Sequence, residues 1–176
     1  VKDNPQSIRM GTVSGTLPQL AALAIQKKED VAFKMTDLGV NNKATELMSG
    51  RIDAYIDGVG QLSQYVKSGD FRLLMAFAKD DTVIPGFEDL PSAESLGYTD
   101  FDYLLQSFGM WMPKGTDEKI VQYYADLIKT CSEDPECIKE LNALGYGARS
   151  EDPENYANIC EKVQTKTNEA VADILN

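Results

Sequence analysis

The chain has 176 residues, 43% hydrophobic and 26% charged, enough to bury a real core as one domain or one domain with an appendage. A net charge of −11, with only four scattered arginines (Arg9, Arg51, Arg72, Arg149), excludes a phosphate-neutralising surface and so a nucleic-acid partner. The absence of histidine excludes Ser-His-Asp triads, Cys-His pairs and histidine-ligated zinc.

No apolar run approaches the roughly 20 residues that span a bilayer. The opening, VKDNPQSIRM, lacks the apolar stretch of a signal peptide, which leaves a cytoplasmic protein or a mature or trimmed chain.

Residues 7–13 predict a strand and 17–28 a helix, with Pro18 tolerated in its first turn. Val31, Phe33 and Met35 alternate with Ala32, Lys34 and Thr36, the period of a strand. A short helix over 41–49 follows. "RIDAYIDGV" predicts a strand with Ile52, Ala54 and Ile56 on one face, and "QLSQYVKSG" a short helix ended by Gly69. "RLLMAFA" (72–78) is a continuous apolar run, expected of a strand covered on both faces. Repeated strand-helix units of this length predict a parallel α/β sheet with right-handed crossovers.

The pattern then changes. Residues 79–99 are loop-rich, with a small helical piece over 92–96, and the carboxylates of "KDDTVIPGFEDL" read as solvated. "FDYLLQSFGMWMP" (101–113) is extended and aromatic, with Phe108, Trp111 and Met112 expected to pack a core or hinge. Beyond it lie three helices. Thr116 is the natural N-cap of the first, whose Ile120, Val121, Tyr124, Leu127, Ile128 and Cys131 share a face. Asp134-Pro135 starts the second, Gly145 stops it, and Asp152-Pro153 starts the third. Cys131 and Cys137 flank "CSEDPEC": either they close a disulfide, which would point to an oxidising compartment, or they are small apolar side chains like Cys160.

Candidate binding residues sit in three loops. "GTVSGTLPQLAAL" has neither the G-x-G-x-x-G nor the P-loop spacing, and Ser14 sits one place too late for a G-x-S-x-G elbow. It offers free backbone N–H groups at a helix start, beside the hydroxyls of Ser14 and Thr16, which suits a carboxylate or phosphate. The plainer reading is that Thr16 simply caps its own helix. "DLGVNNKA" opens with Gly39 and caps with Asn41 or Asn42, and "DGVGQLS" repeats the logic at the next strand end. In a parallel sheet the carboxyl ends share one edge, so the three loops point to a small-anion site. Asp53 and Asp57, four apart, are not an obvious catalytic pair, and no cofactor or metal motif is present.

The ordered string resembles the tripartite tricarboxylate transporter substrate-binding proteins, the TctC or Bug family. The family's spaced elements are met by Ser49-Gly50, Ile52-Asp53, "GDFRLLMAFA", "FEDLPSAESLGY", "FGMWMPKGTDEK", "LNALGY" and "SEDPENY", from residue 8 to about 170. The resemblance implies a type II periplasmic-binding-protein-like fold, two α/β lobes closing on a ligand. Residues 1–112 would then be the second lobe. Residues 113–176 would be helices that pack on a first lobe lying outside this sequence. "LLQSFGMWMP" would be the returning crossover strand.

It implies a receptor, not an enzyme, that takes a small organic acid without a cofactor and hands it to integral-membrane transporter subunits. Its place would be periplasmic or otherwise extracytoplasmic, a membrane-associated lipoprotein included. Carried over by position, the ligand contacts are Ser14, Gly15, Thr16, Gly39, Val40, Asn41, Asp57 and Gly58. Gln19 stands where the family often has histidine, Thr36 replaces an aromatic, Val40 a second glycine and Ser107 a tryptophan. The rivals are a ligand-sensing or interaction module on the same fold, and a Ser/Lys or Asp hydrolase for which no nucleophile motif exists. Helices without their lobe should fold back onto the sheet or pair as a homodimer.

Overall fold

The computed structural model describes residues 1–79, 82, 84–104 and 107–175. Asp80 and Asp81 of the acidic loop, and Leu105 and Gln106 of the aromatic segment, lie outside the described residues. The elements are β1 (Arg9–Thr12), α1 (Leu17–Glu29), β2 (Lys34–Asp37), α2 (Lys43–Met48), β3 (Ala54–Tyr55), α3 (Val59–Lys67), α4 (Glu118–Glu133), α5 (Pro135–Ala143) and α6 (Pro153–Leu175). They divide between two compact units, one of residues Val1–Gly58 with the last residues from Thr167, the other Val59–Lys166.

The first unit is a parallel α/β sheet of order β2-β1-β3. Arg9 to Thr12 pair with Lys34 to Asp37, and Met10 and Gly11 pair with Ala54 and Tyr55. The central strand is buried from Met10 to Thr12. Gly11 has a steric reason: a Cβ there would stand 2.5 Å from Ile52 Cδ1 and 2.8 Å from Leu38 Cδ1. Helix α1 packs on β1 through small side chains, with Ala21, Ala22 and Ala24 buried. It carries Lys27 and Lys28 in its last turn, where cations complement the helix dipole, and ends at Asp30 in the left-handed region (φ 51°). Lys27 also pairs with Asp173 at 2.7 Å, tying the end of α6 to α1.

The second unit is helical and looped. Its buried residues are Ala76, Ala93, Phe101, Tyr103 and Leu104. Phe101 stacks on Tyr98 at 5.1 Å and meets Tyr103 edge-on at 6.4 Å. Gly60, at the start of α3, lets the chain run beside the Leu144 carbonyl and the Tyr146 hydroxyl. Asp134 caps α5, accepting from the amides of Glu136 and Cys137 at 2.9 and 3.0 Å, and Asp152 accepts from Asn155 N at 2.8 Å to start α6. The three cysteines are free thiols. Burial and neighbouring Cys131 push the Cys137 thiol up from its ordinary range.

Several expectations are corrected. Residues 72–78 are not a strand: one parallel bridge joins Ala76 to Ser92, and Leu74 is 68% exposed. The run is apolar enough for a doubly covered strand, but only Ala76 is buried. Over 92–96 there is a hydrogen-bonded turn rather than a helix. Phe108 and Trp111 are 70% and 74% exposed rather than core, resting against Tyr146 and Tyr156 at ring distances of 5.3 and 6.2 Å. Described residues 107–113 form no strand. The cap of α4 is Asp117, whose carboxylate accepts from Lys119 N at 2.8 Å; Thr116 instead donates to the Pro113 carbonyl.

Candidate functional site at the carboxyl edge of the sheet

Because all three strands are parallel, the loops after Thr12, Asp37 and Tyr55 emerge at one edge. The chain leaves β1 for β2 on one side and then crosses to β3 on the other. Right-handed crossovers in opposite directions put α1 and α2 on opposite faces. In an order of 2-1-3 the crevice lies at the carboxyl ends of β1 and β3, where the order reverses. Residues 13–16 and 56–58 flank that crevice, and 38–42 lie on the far side of β1.

The first loop is open and built from backbone. Ser14 and Gly15 are exposed, Gly15 has φ 73°, and a Cβ on it would meet nothing within 4 Å. Thr16 stands at the N-cap position of α1 but makes no side-chain cap bond; its hydroxyl donates to the Val13 carbonyl at 2.6 Å. The helix therefore begins without a side-chain cap, and Pro18 removes one donor from its first turn. The Ser14 amide donates to Asp37 Oδ1 at 3.0 Å and the Gly15 amide to Gln19 Oε1 at 2.8 Å. Both acceptors are side-chain oxygens reaching the loop from neighbouring elements.

In the second loop Gly39, Val40 and Asn41 are exposed, Val40 to 68%. Asn42, not Asn41, takes the N-cap position of α2, also without a side-chain cap bond. Its Nδ2 lies 3.5 Å from the point where a Gly39 Cβ would stand. In the third, Asp57 accepts from the Gly58 amide at 3.0 Å through Oδ1 and pairs through Oδ2 with Lys43 at 2.5 Å. Lys43 and Asp57 are only 12% and 20% exposed, the most enclosed ion pair described.

Asp53, the other acid of the expected non-pair, is held elsewhere. Arg9 grips it through two guanidinium bonds at 2.9 and 2.6 Å and through its backbone amide at 2.8 Å. These bonds hold the Asp53 carboxyl down at about 2 and raise Arg9. The two aspartates thus serve different cations.

The fold brings Ser14, Gly15 and Thr16 to the same edge as Asp57 and Gly58, with Gly39, Val40 and Asn41 at that edge but across β1 from the crevice. Sequence reasoning missed Lys43 and Asp37 as members of this edge, and named Gln19 only as the stand-in for a family histidine. Lys43 carried a readable signal: a cation at the first position of a helix opposes the helix dipole, so something else must hold it there. Among the described residues no group of three acidic or cysteine side chains converges as a metal site.

The sequence matches the family described as "TctC: Tripartite tricarboxylate transporter family receptor" over residues 1–174. A curated relative from Pseudomonas sp. (strain P51), the "UPF0065 protein in tcbD-tcbE intergenic region", is 25% identical over 161 residues, 90% of this chain and 47% of its own length. Among solved structures, R. palustris Rpa4515 with adipate has a TM-score of 0.76 at 16% identity, covering 98% of this chain and 57% of that one. MatC (Rpa3494) from Rhodopseudomonas palustris with bound malate has a TM-score of 0.66 at 18% identity, covering 97% and 57%. The chain thus spans about half the length of these proteins.

Proposed function

The chain belongs to the tripartite tricarboxylate transporter receptor family, and from that premise we propose that it forms the ligand-binding α/β portion of an extracytoplasmic solute receptor. Its ligand is a small organic carboxylate, held at the site formed by Ser14, Gly15, Thr16, Gly39, Val40, Asn41, Asp57 and Gly58. Asp57 serves that site through its lysine partner and does not meet the acid itself. It performs no chemistry of its own and passes the acid to integral-membrane transporter subunits. Residues 1–112 act as one lobe and the helices of 113–176 pack on the other. Binding closes the two lobes on the ligand, a hinge motion.

The observation that carries this reading is the first loop. Gly15 lies in an open turn, where a Cβ would meet nothing within 4 Å, at the start of a helix whose cap position makes no side-chain bond. The Ser14 and Gly15 amides are donors there, and an incoming acid replaces their present acceptors, the side-chain oxygens of Asp37 and Gln19. On a chain of net charge −11 an anion needs such local donors, because the overall field repels it and is screened within roughly 8 Å at physiological salt. The neighbours holding adipate and malate support a dicarboxylic acid as the first class to try.

The test is a thermal-shift and calorimetric screen of mono-, di- and tricarboxylates on the receptor carrying both lobes. A saturable shift with one acid class, lost when Thr16 is replaced by Trp, supports the reading. Unaltered melting with every acid overturns it and favours a sensing or interaction module on the same fold.

A further inference from the structure

The Lys43–Asp57 pair joins the start of α2 to the loop after β3. Lys43 follows β2 and Asp57 follows β3, yet β1 lies between those strands. Neighbouring strands stand about 4.8 Å apart, so β2 and β3 are about 10 Å apart across β1. Lys43 opens α2 at the carboxyl edge, and Asp57 lies two residues beyond β3 at the same edge. Helix α2, which Lys43 opens, packs on β1 and β3, and the 2.5 Å pair with Asp57 holds the ammonium on the β3 side, where the crevice between β1 and β3 opens.

Three further facts bear on its role. Lys43 is the one cation in the three loop sequences, standing where the second of them runs into α2. An ammonium has three N–H donors, and Asp57 is its one ion-pair partner among the described residues. Asp57 meanwhile spends its other oxygen on the Gly58 amide, which fixes the carboxylate that holds the lysine.

We propose that Lys43 is a specificity-determining residue: it takes the second carboxylate of a dicarboxylic acid whose first carboxylate lies on the Ser14–Thr16 loop. The inference rests on the carboxylate-receptor reading above and adds to it a choice of ligand charge. Asp57 holds the ammonium in place and competes with the ligand for it. A monoacid of the same length gains nothing from the lysine, so the lysine sets the ratio of diacid to monoacid affinity.

The test compares adipate with hexanoate at pH 7, in the receptor carrying both lobes, by calorimetry. Lys43→Met lowers the adipate-to-hexanoate affinity ratio by about tenfold, as expected for one charged hydrogen bond. Lys43→Arg keeps most of the ratio, and Asp57→Asn raises it, because a competing carboxylate is gone. The Asp57→Asn gain is a result that damaged folding does not produce. An unchanged ratio in Lys43→Met, or a fall of both affinities in parallel in Lys43→Met and Asp57→Asn, overturns the proposal and leaves the pair as a structural strap. Loss of all acid binding in the unsubstituted receptor overturns the carboxylate reading as well, so the two failures are told apart.

Discussion

The two compact units bury apolar residues very differently. The first seats Met10, Ala21, Ala22, Ala24 and Ile52 against a regular sheet, and few of its large apolar side chains face solvent. In the second, α4 and α5 bury no residue at all, and Trp111, Ile120, Tyr123, Leu127 and Leu144 are 74%, 49%, 63%, 45% and 60% exposed. Hydrophobic stabilisation follows the area removed from water, so the first unit is held by its core. The second has a buried cluster of its own in Ala76, Ala93, Phe101, Tyr103 and Leu104, but α4 and α5 contribute nothing to it and rest on their caps at Asp117 and Asp134. Secondary structure that forms without burial is the signature of elements whose partner surface lies elsewhere, which fits helices proposed to pack on another lobe.

That contrast can be broken most sharply at Gly11. Gly11→Val drives a side chain into Ile52 and Leu38, and overpacking of this kind costs about 1–3 kcal/mol. A melting-temperature loss of roughly 3–10 °C is expected; an unaltered melt would mean the sheet is no tighter than the helical unit. Next comes Asp134→Ala, which removes a cap worth about 1 kcal/mol. Hydrogen exchange should quicken in α5 while the amides of β1 keep their protection.

Smaller again is the exposed Arg9–Asp53 pair. The Asp53 carboxyl is depressed to about 2, so its contribution is present above the ordinary carboxylate range and is lost as pH falls through about 2. Asp53→Asn should therefore melt lower than the unsubstituted chain at pH 6, with the gap closing between pH 4 and 2. A gap of equal size at both ends would remove the charge pair as its cause. Least is expected of Leu127→Lys in the present chain, a change within about 0.5 kcal/mol because the site faces water. The same substitution in the receptor with both lobes should lower the melting temperature by several degrees; equal tolerance in both would refute the packing proposal.

How far the sequence speaks follows the same division. Where a strand and helix bury each other, period and punctuation go far. The alternation over 31–36 finds β2, which itself begins at Lys34, and Pro18 after a cap residue marks α1, while Asp134-Pro135 marks α5 by its cap alone. Residues 72–78 mislead because an apolar run reports what a segment could bury, while its conformation depends on what covers it. The same holds for Phe108 and Trp111. In the candidate site the loops were legible through their glycines and hydroxyls. Lys43 was not, because its role depends on β3 lying on the other side of β1, a fact of strand order that no local pattern encodes. Asp37 was hidden for a related reason: it ends a strand by sequence, and only the register opposite Thr12 turns its carboxylate toward Ser14.

On the proposed reading, the side-chain oxygens of Asp37 and Gln19 on the first loop have a kinetic meaning. With the Ser14 and Gly15 amides already bonded, an incoming acid trades one acceptor for another and gains only the difference between them. The same trade run backwards lets the acid depart without stranding a donor in the loop. On the proposed reading this favours quick loading and quick release over tight retention, which is what a carrier must do at the mouth of a transporter.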